Sequence, residues 1–212
     1  MMKETTIHEF DKRLQKQVVQ AREALKKDGK DYVVQVCGEL LKNNPGAYEV
    51  RSLLWEALRS DFTGKSSRMN WLRNQSSGIQ FKLATRTLLK KHPLEVVRRC
   101  DELLRGKQVF PQVFITLNKA AASLDWQETQ VLACRAVVAL DSEKTAPRLI
   151  LSEVLLNVKR PQEAIEQVEW VLAREPANGE AQTLLKNASV AETLQRGNWE
   201  DTDTTFHTKK LT

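Results

Sequence analysis

The sequence predicts an all-α fold, an α-solenoid of helical hairpins that ends in a C-terminal capping helix. The first observation is composition, because the 212-residue chain has only eight glycines and six prolines and is rich in helix-favouring residues. The second is the spacing of apolar residues, which recur three and four positions apart along most of the chain. The third is a sequence pattern that repeats every 34 residues, as stacked helical hairpins do.

The repeat is clearest between Thr145 and Pro176, where two amphipathic segments flank a break at Pro161. Its apolar positions are Leu151, Leu155, Val168, Val171 and Leu172, preceded at one period by Leu117, Ala121, Cys134, Val137 and Val138, and at two periods by Leu83, Thr87, Cys100, Leu103 and Leu104. Only Thr87 interrupts the apolar set. The predicted units are 77–110, 111–144 and 145–178, and Pro93 and Pro161 each open a second helix.

The order of large and small residues in this hairpin resembles one unit of the tetratricopeptide (TPR) family. The residues that carry the resemblance are Leu151, Ser152, Leu155, Ala164, Val168, Val171 and Pro176. Small residues at Ser152 and Ala164 would let the two helices approach closely, and Leu155 and Val168 would fill the space between them. The resemblance implies a scaffold that binds a protein or peptide partner.

The rest of the chain is divided around these three units. Residues 1–60 are predicted to form a TPR-like hairpin, capped at Thr5 or Thr6, and the first helix of a broken second repeat. Residues 61–76 are predicted to be an irregular basic insertion, which is either mobile or packs Phe62 and Trp71 into the joint. Residues 179–196 are predicted to form the capping helix, and residues 197–212 a loose polar tail.

Positive charge is concentrated in the first half of the chain. Residues 1–110 hold 22 lysines and arginines against 13 acidic residues, a net charge of +9, whereas residues 111–212 carry a net −3. No acidic residue lies between Asp61 and Glu95. The basic residues there are Lys65, Arg68, Arg73, Lys82, Arg86, Lys90 and Lys91. They indicate either a surface for nucleic acid or an acidic partner, or a solvated face that keeps the protein soluble.

Residues that could carry chemistry do not form a recognisable constellation. The three histidines are scattered, and the three cysteines lack CxxC spacing, so we expect Cys100 and Cys134 to be small core residues. We therefore expect neither an enzyme nor a cofactor or metal site. No apolar stretch reaches the roughly 20 residues of a membrane span, and no secretory signal is evident, which predicts a cytoplasmic protein without membrane contact.

The TPR resemblance also implies where a partner would bind. In TPR arrays the fifth and twelfth positions of each unit line a concave groove, and here they are Phe81, Leu88, Ile115, Ala122, Leu149 and Leu156. All six are apolar. The predicted function is a non-enzymatic protein–protein interaction scaffold that holds a helical or extended apolar segment in this groove. The alternative is anion or nucleic-acid binding through the basic segment 65–107. The sequence leaves open the partner, the oligomeric state and whether the chain covers its own groove.

Overall fold

The computed structural model of the chain describes the backbone of residues 2–62 and 67–208, and the side chains of residues 2–62 and 77–197. Over these residues the chain is all-helical, as the sequence predicts, with ten α-helices and one short 3-10 helix. None of the described helices is both long enough and apolar enough to span a membrane. The chain divides into two compact units, residues 1–142 and residues 143–212.

The first unit contains seven α-helices. They are α1 (Lys12–Lys26), α2 (Lys30–Asn43), α3 (Tyr48–Phe62), α4 (Ser67–Lys91), α5 (Pro93–Arg105), α6 (Pro111–Leu124) and α7 (Gln127–Leu140). Pairs α1–α2, α4–α5 and α6–α7 each pack as neighbours, and α4 also packs on α6. Helix α3 has its main contacts with α2, α5 and α7. Its Trp55 ring also lies edge to face with the Phe114 ring of α6, with 4.9 Å between the ring centroids. One continuous core joins these helices.

The second unit contains α8 (Ala146–Asn157), α9 (Pro161–Leu172) and α10 (Gly179–Thr208). The predicted close approach of its first two helices is confirmed, because Ser152 and Ala164 are fully buried and the Ser152 hydroxyl donates to the Ala164 carbonyl oxygen at 3.2 Å. The guanidinium groups of Arg148 and Arg174 stack on the Trp170 ring, 3.8 and 3.4 Å from its centroid. This stacking ties the end of α9 to the start of α8. Helix α10 packs against both.

The 34-residue register is confirmed in α6 to α9. Leu117 and Leu151 are buried at equivalent positions, as are Cys134 and Val168. Proline begins α5, α6 and α9, where its missing N–H group costs no hydrogen bond.

The register fails in α4, which is a correction to the predicted first unit. Leu83, which the repeat pattern places in the core, is 64% exposed, and Thr87, which interrupts the apolar set, is exposed as well. Among the side chains of α4 that the structure describes, Phe81, Thr85, Leu88 and Leu89 face inward. The side expected to form the groove therefore packs on the unit, and the side expected to be core faces solvent. Because α3 has its main contacts with α2, α5 and α7, it does not supply the cover that this side of α4 would need.

Two segments predicted to be irregular are helical. Helix α3 continues to Phe62 and α4 begins at Ser67, so residues 67–76 do not belong to an irregular insertion. Helix α10 runs to Thr208, past the predicted end near Gly197, so residues 197–208 are not a loose tail. Neither segment contains proline, and a single glycine costs a helix only about 1 kcal/mol. Residues 63–66 and 209–212, including Lys65, lie outside the described part of the chain.

The N-terminus of α1 is capped at Asp11, five residues after Thr6. The Asp11 side chain, rather than Thr5 or Thr6, accepts a hydrogen bond from the Leu14 N–H at 2.8 Å. Thr6 instead precedes the 3-10 helix Ile7–Glu9, and its N–H donates to the Glu9 carboxylate at 3.1 Å.

A buried ion pair joins α3 to α5 and α7. Arg51 is fully buried, and its Nε and Nη2 donate to the two carboxylate oxygens of Asp101 at 2.7 and 2.8 Å. Its Nη1 donates to the Thr129 hydroxyl at 3.1 Å and its Nη2 to the Pro45 carbonyl at 2.5 Å. Burial alone would lower the pKa of Arg51, but the charge and hydrogen bonds of Asp101, together with the charge of Glu4, outweigh burial and raise the pKa, so the guanidinium stays charged.

The N-terminal segment 2–6 is an arm that holds the start of α7. The Glu4 carboxylate accepts hydrogen bonds from the N–H groups of Glu128 and Thr129, at 2.9 and 2.7 Å. It thereby supplies the cap that Trp126, the residue before α7, does not provide. The arm runs beside Gly46, where a β-carbon would lie only 2.4 Å from the Lys3 carbonyl oxygen. Glycine at this position therefore lets the arm pass.

All three cysteines are buried, which confirms that Cys100 and Cys134 are small core residues. Burial raises the pKa of Cys37 and of Cys134 to about 12, and raises the pKa of Cys100 well above its usual value. The thiolate forms are therefore scarce at neutral pH.

Candidate functional site

The outward side of α4 carries exposed apolar side chains together with exposed basic ones. Ile79, Lys82, Leu83, Arg86 and Lys90 are all exposed. Their spacing of three, four, seven and eleven residues from Ile79 places them within about 100° on one side of the helix. We call these five residues the α4 face.

The apolar part of the α4 face is a pair of large side chains one turn apart. Ile79 is 63% exposed and Leu83 is 64% exposed. Exposed apolar residues are common singly, but a pair at this spacing on one helix face provides a continuous apolar surface. Burying one such side chain beneath a partner would stabilise a complex by about 1.5–3 kcal/mol before the costs of association.

The basic part of the α4 face is a row of unpaired cations. Lys82, Arg86 and Lys90 make no ion pair with any residue that the structure describes. Some other basic residues of the same unit pair with carboxylates, as in Arg22–Glu49 at 3.0 Å, Lys30–Asp61 at 3.1 Å and Arg105–Glu39 at 2.6 Å. The positive charge of these three side chains on the α4 face is not offset by such a pair within the described residues.

The same five positions one period later are not exposed. They are Val113, Thr116, Leu117, Ala120 and Leu124 of α6, and all are buried. Helices α5 and α7 pack on α6. The α4 face thus corresponds to a helix surface that is covered in α6, with three cations in place of apolar or small residues.

The six residues predicted to line a groove differ in how far they are buried. Phe81, Leu88 and Ile115 are half-buried and pack against the core of the first unit, where Phe81 lies edge to face with Phe110 at 6.3 Å. Ala122 is exposed. In the second unit, Leu149 is only 5% exposed and Leu156 packs against the local core. Leu149 is therefore a core residue and not part of an open surface.

The residues predicted to bind anions do not all lie on the same side of α4. Lys82, Arg86 and Lys90 belong to the α4 face, whereas Lys91 is exposed on a different side of the helix. The backbone at Arg68 and Arg73 lies in α4, but their side chains are outside the described set, as is the whole of Lys65.

Two clefts in the first unit are weaker candidates. One of about 450 Å³ lies between α1 and α3, and its Glu49 already binds Arg22 and the Ile7 N–H. The other, of about 410 Å³, lies between α2 and α5, and its lining contains basic side chains as well as carboxylates. Neither combines unpaired charge with exposed apolar residues.

The sequence contained one signal for the α4 face. Thr87 interrupts the apolar set, and Lys82, Arg86 and Lys90 occupy positions that are buried in α6. Three cations on the supposed core side of one helix indicate that this side faces solvent.

In comparisons with protein-family models, with curated proteins and with solved structures, no match to this chain was found.

Proposed function

We propose that this protein is a non-enzymatic protein–protein interaction scaffold of the TPR type, and that a partner segment docks on the α4 face. One observation carries the proposal: Ile79 and Leu83 are exposed one turn apart on a helix whose equivalent surface in α6 is buried. The hairpins α6–α7 and α8–α9, which keep the 34-residue register, support the TPR resemblance. The site differs from the predicted groove because Leu149 is buried and because Phe81 and Leu88 face the core.

Nucleic-acid binding is the second candidate, and it has its own support. Lys82, Arg86 and Lys90 follow one another at intervals of four residues and have no acidic neighbour along the helix. Such a row could track phosphates. Ile79 and Leu83 favour the protein partner, because phosphate binding alone gives no role to two exposed apolar side chains.

The test is affinity capture from a lysate of the source organism, with and without nuclease, using the wild type and two surface variants. We expect a set of proteins that binds the wild type to be lost with Ile79→Ser/Leu83→Ser, because this change removes the apolar contact. Val19→Ser is the matched control, since Val19 is an exposed apolar residue on α1, 55% accessible to solvent. It should retain the same proteins.

Each outcome decides between the two candidates. Proteins that are retained by wild type and Val19→Ser but lost from Ile79→Ser/Leu83→Ser support the scaffold. Loss of all binding after nuclease treatment would assign the α4 face to nucleic acid. Equal capture by the wild type and both variants would show that Ile79 and Leu83 do not contribute to partner binding.

A further inference from the structure

We infer that the partner segment is an acidic amphipathic helix that lies along α4 and covers Ile79 and Leu83. This inference rests on the proposed function, because it identifies the chemistry of what docks on the same face. It requires apolar anchors on one side of the partner helix and carboxylates beside them.

The apolar requirement follows from the contrast between α4 and α6. Val113 and Leu117 of α6 are fully buried, whereas Ile79 and Leu83 at the same repeat positions are open. In α6 the cover is provided by helices of the same unit, since α5 and α7 pack on it. A helix from a partner would give Ile79 and Leu83 an equivalent cover.

The acidic requirement follows from the cations. Lys82, Arg86 and Lys90 replace Thr116, Ala120 and Leu124 of α6, so a purely apolar helix would leave three charges against its surface. Since none of these cations has an ion pair within the described structure, carboxylates on the partner would be their first counter-charges. A basic helix would add like charges and be repelled.

A helical partner is favoured over an extended one because α4 offers side chains and no open strand edge. Its residues at intervals of three and four form ridges, and ridges of this kind pack into the grooves of another helix. In strand addition, an extended peptide gains its affinity from backbone hydrogen bonds to a sheet edge. The backbone N–H groups of residues 77–91 and the C=O groups of residues 77–87 are already used within α4.

The inference can be tested with synthetic peptides, with binding followed by fluorescence anisotropy. The probe is a labelled peptide of about 18 residues, long enough for five helical turns, with leucine at helical spacing and glutamate beside the leucines. One comparison peptide has lysine in place of every glutamate. A second has the acidic composition in scrambled order, so that it has no apolar face, and labelled polyuridylate serves as the nucleic-acid probe.

We expect the full-length protein to bind the acidic amphipathic peptide at least about tenfold more tightly than either comparison peptide. Leu83→Ser should weaken binding by at least about tenfold, whereas Val19→Ser should leave it unchanged. Replacing Lys82, Arg86 and Lys90 by glutamate should reverse the preference, so that the lysine peptide binds more tightly.

Three results would overturn the inference. They are equal binding of the acidic and scrambled peptides, no effect of Leu83→Ser, or polyuridylate binding tighter than the acidic peptide. If the peptides fail while protein capture still depends on Ile79 and Leu83, the scaffold stands and the acidic helix is wrong. If neither depends on these residues, both proposals fail.

Discussion

We expect Asp101→Leu to lower the free energy of unfolding by about 3–5 kcal/mol, which urea titration followed by circular dichroism would measure. The reason is that Arg51 is fully buried and directs two of its hydrogen bonds to Asp101. Removal of the carboxylate leaves a buried guanidinium without its counter-charge. Loss of a buried partner of this kind costs much more than loss of a surface ion pair.

The matched control is the double variant Arg51→Met/Asp101→Leu. It removes both charges, and it leaves the Thr129 hydroxyl hydrogen-bonded to Glu4 at 2.6 Å. We expect the double variant to be more stable than Asp101→Leu alone, because an apolar pair needs no counter-charge. An Asp101→Leu protein that unfolds within about 0.5 kcal/mol of the wild type would contradict the buried pair.

The second large effect concerns two leucines that occupy the same position of the repeat. Leu151→Ala should lower the free energy of unfolding by about 2–5 kcal/mol, because Leu151 is only 2% exposed and the substitution leaves a cavity. Leu83→Ala, two periods earlier in the sequence, should change it by no more than about 0.5 kcal/mol, because Leu83 faces solvent. Thermal melting of the two variants measures the difference.

The comparison of Leu151→Ala with Leu83→Ala shows whether α4 packs in the same repeat register as α8. If both variants lost several kcal/mol, α4 would share the register of α6 and α8, and the α4 face would be buried. If neither variant were destabilised, the register would be wrong in α8 as well.

The sequence predicted the fold best where local signals and packing agree. Proline marked the starts of α5 and α9, and Ser152 with Ala164 predicted the close contact of α8 and α9. These features depend on residues within one hairpin. Their consequences can be derived from helix geometry without knowing the rest of the chain.

The prediction failed at α4 because burial there depends on distant helices. A repeat pattern predicts that each helix has a neighbour on both sides, but α3 has its main contacts with α2, α5 and α7. With no such cover, the side bearing Ile79 and Leu83 faces solvent. The same failure displaced the predicted site, because Phe81 and Leu88 lie on the opposite side and turn into the core.

The contacts that connect distant parts of the first unit could not be predicted from spacing. Arg51 and Asp101 are 50 positions apart, and Glu4 reaches Thr129 across 125 positions. A charged residue between Val50 and Leu54 on an apolar helix surface indicates a buried ion pair, but one sequence does not identify its partner. The segment 2–6 likewise gave no sign that it would cap α7.

The most direct test of the central claim, that the α4 face is open to solvent, is the rate at which an introduced cysteine reacts with dithiodipyridine. The wild type provides a silent background, because all three native cysteines are buried and burial raises their pKa values. We predict that Leu83→Cys gains one rapidly reacting thiol and that Thr85→Cys, at a site 2% exposed, gains none until the protein is unfolded. Rapid reaction at Thr85→Cys with protection at Leu83→Cys would contradict the account, because the opposite side of α4 would then face solvent.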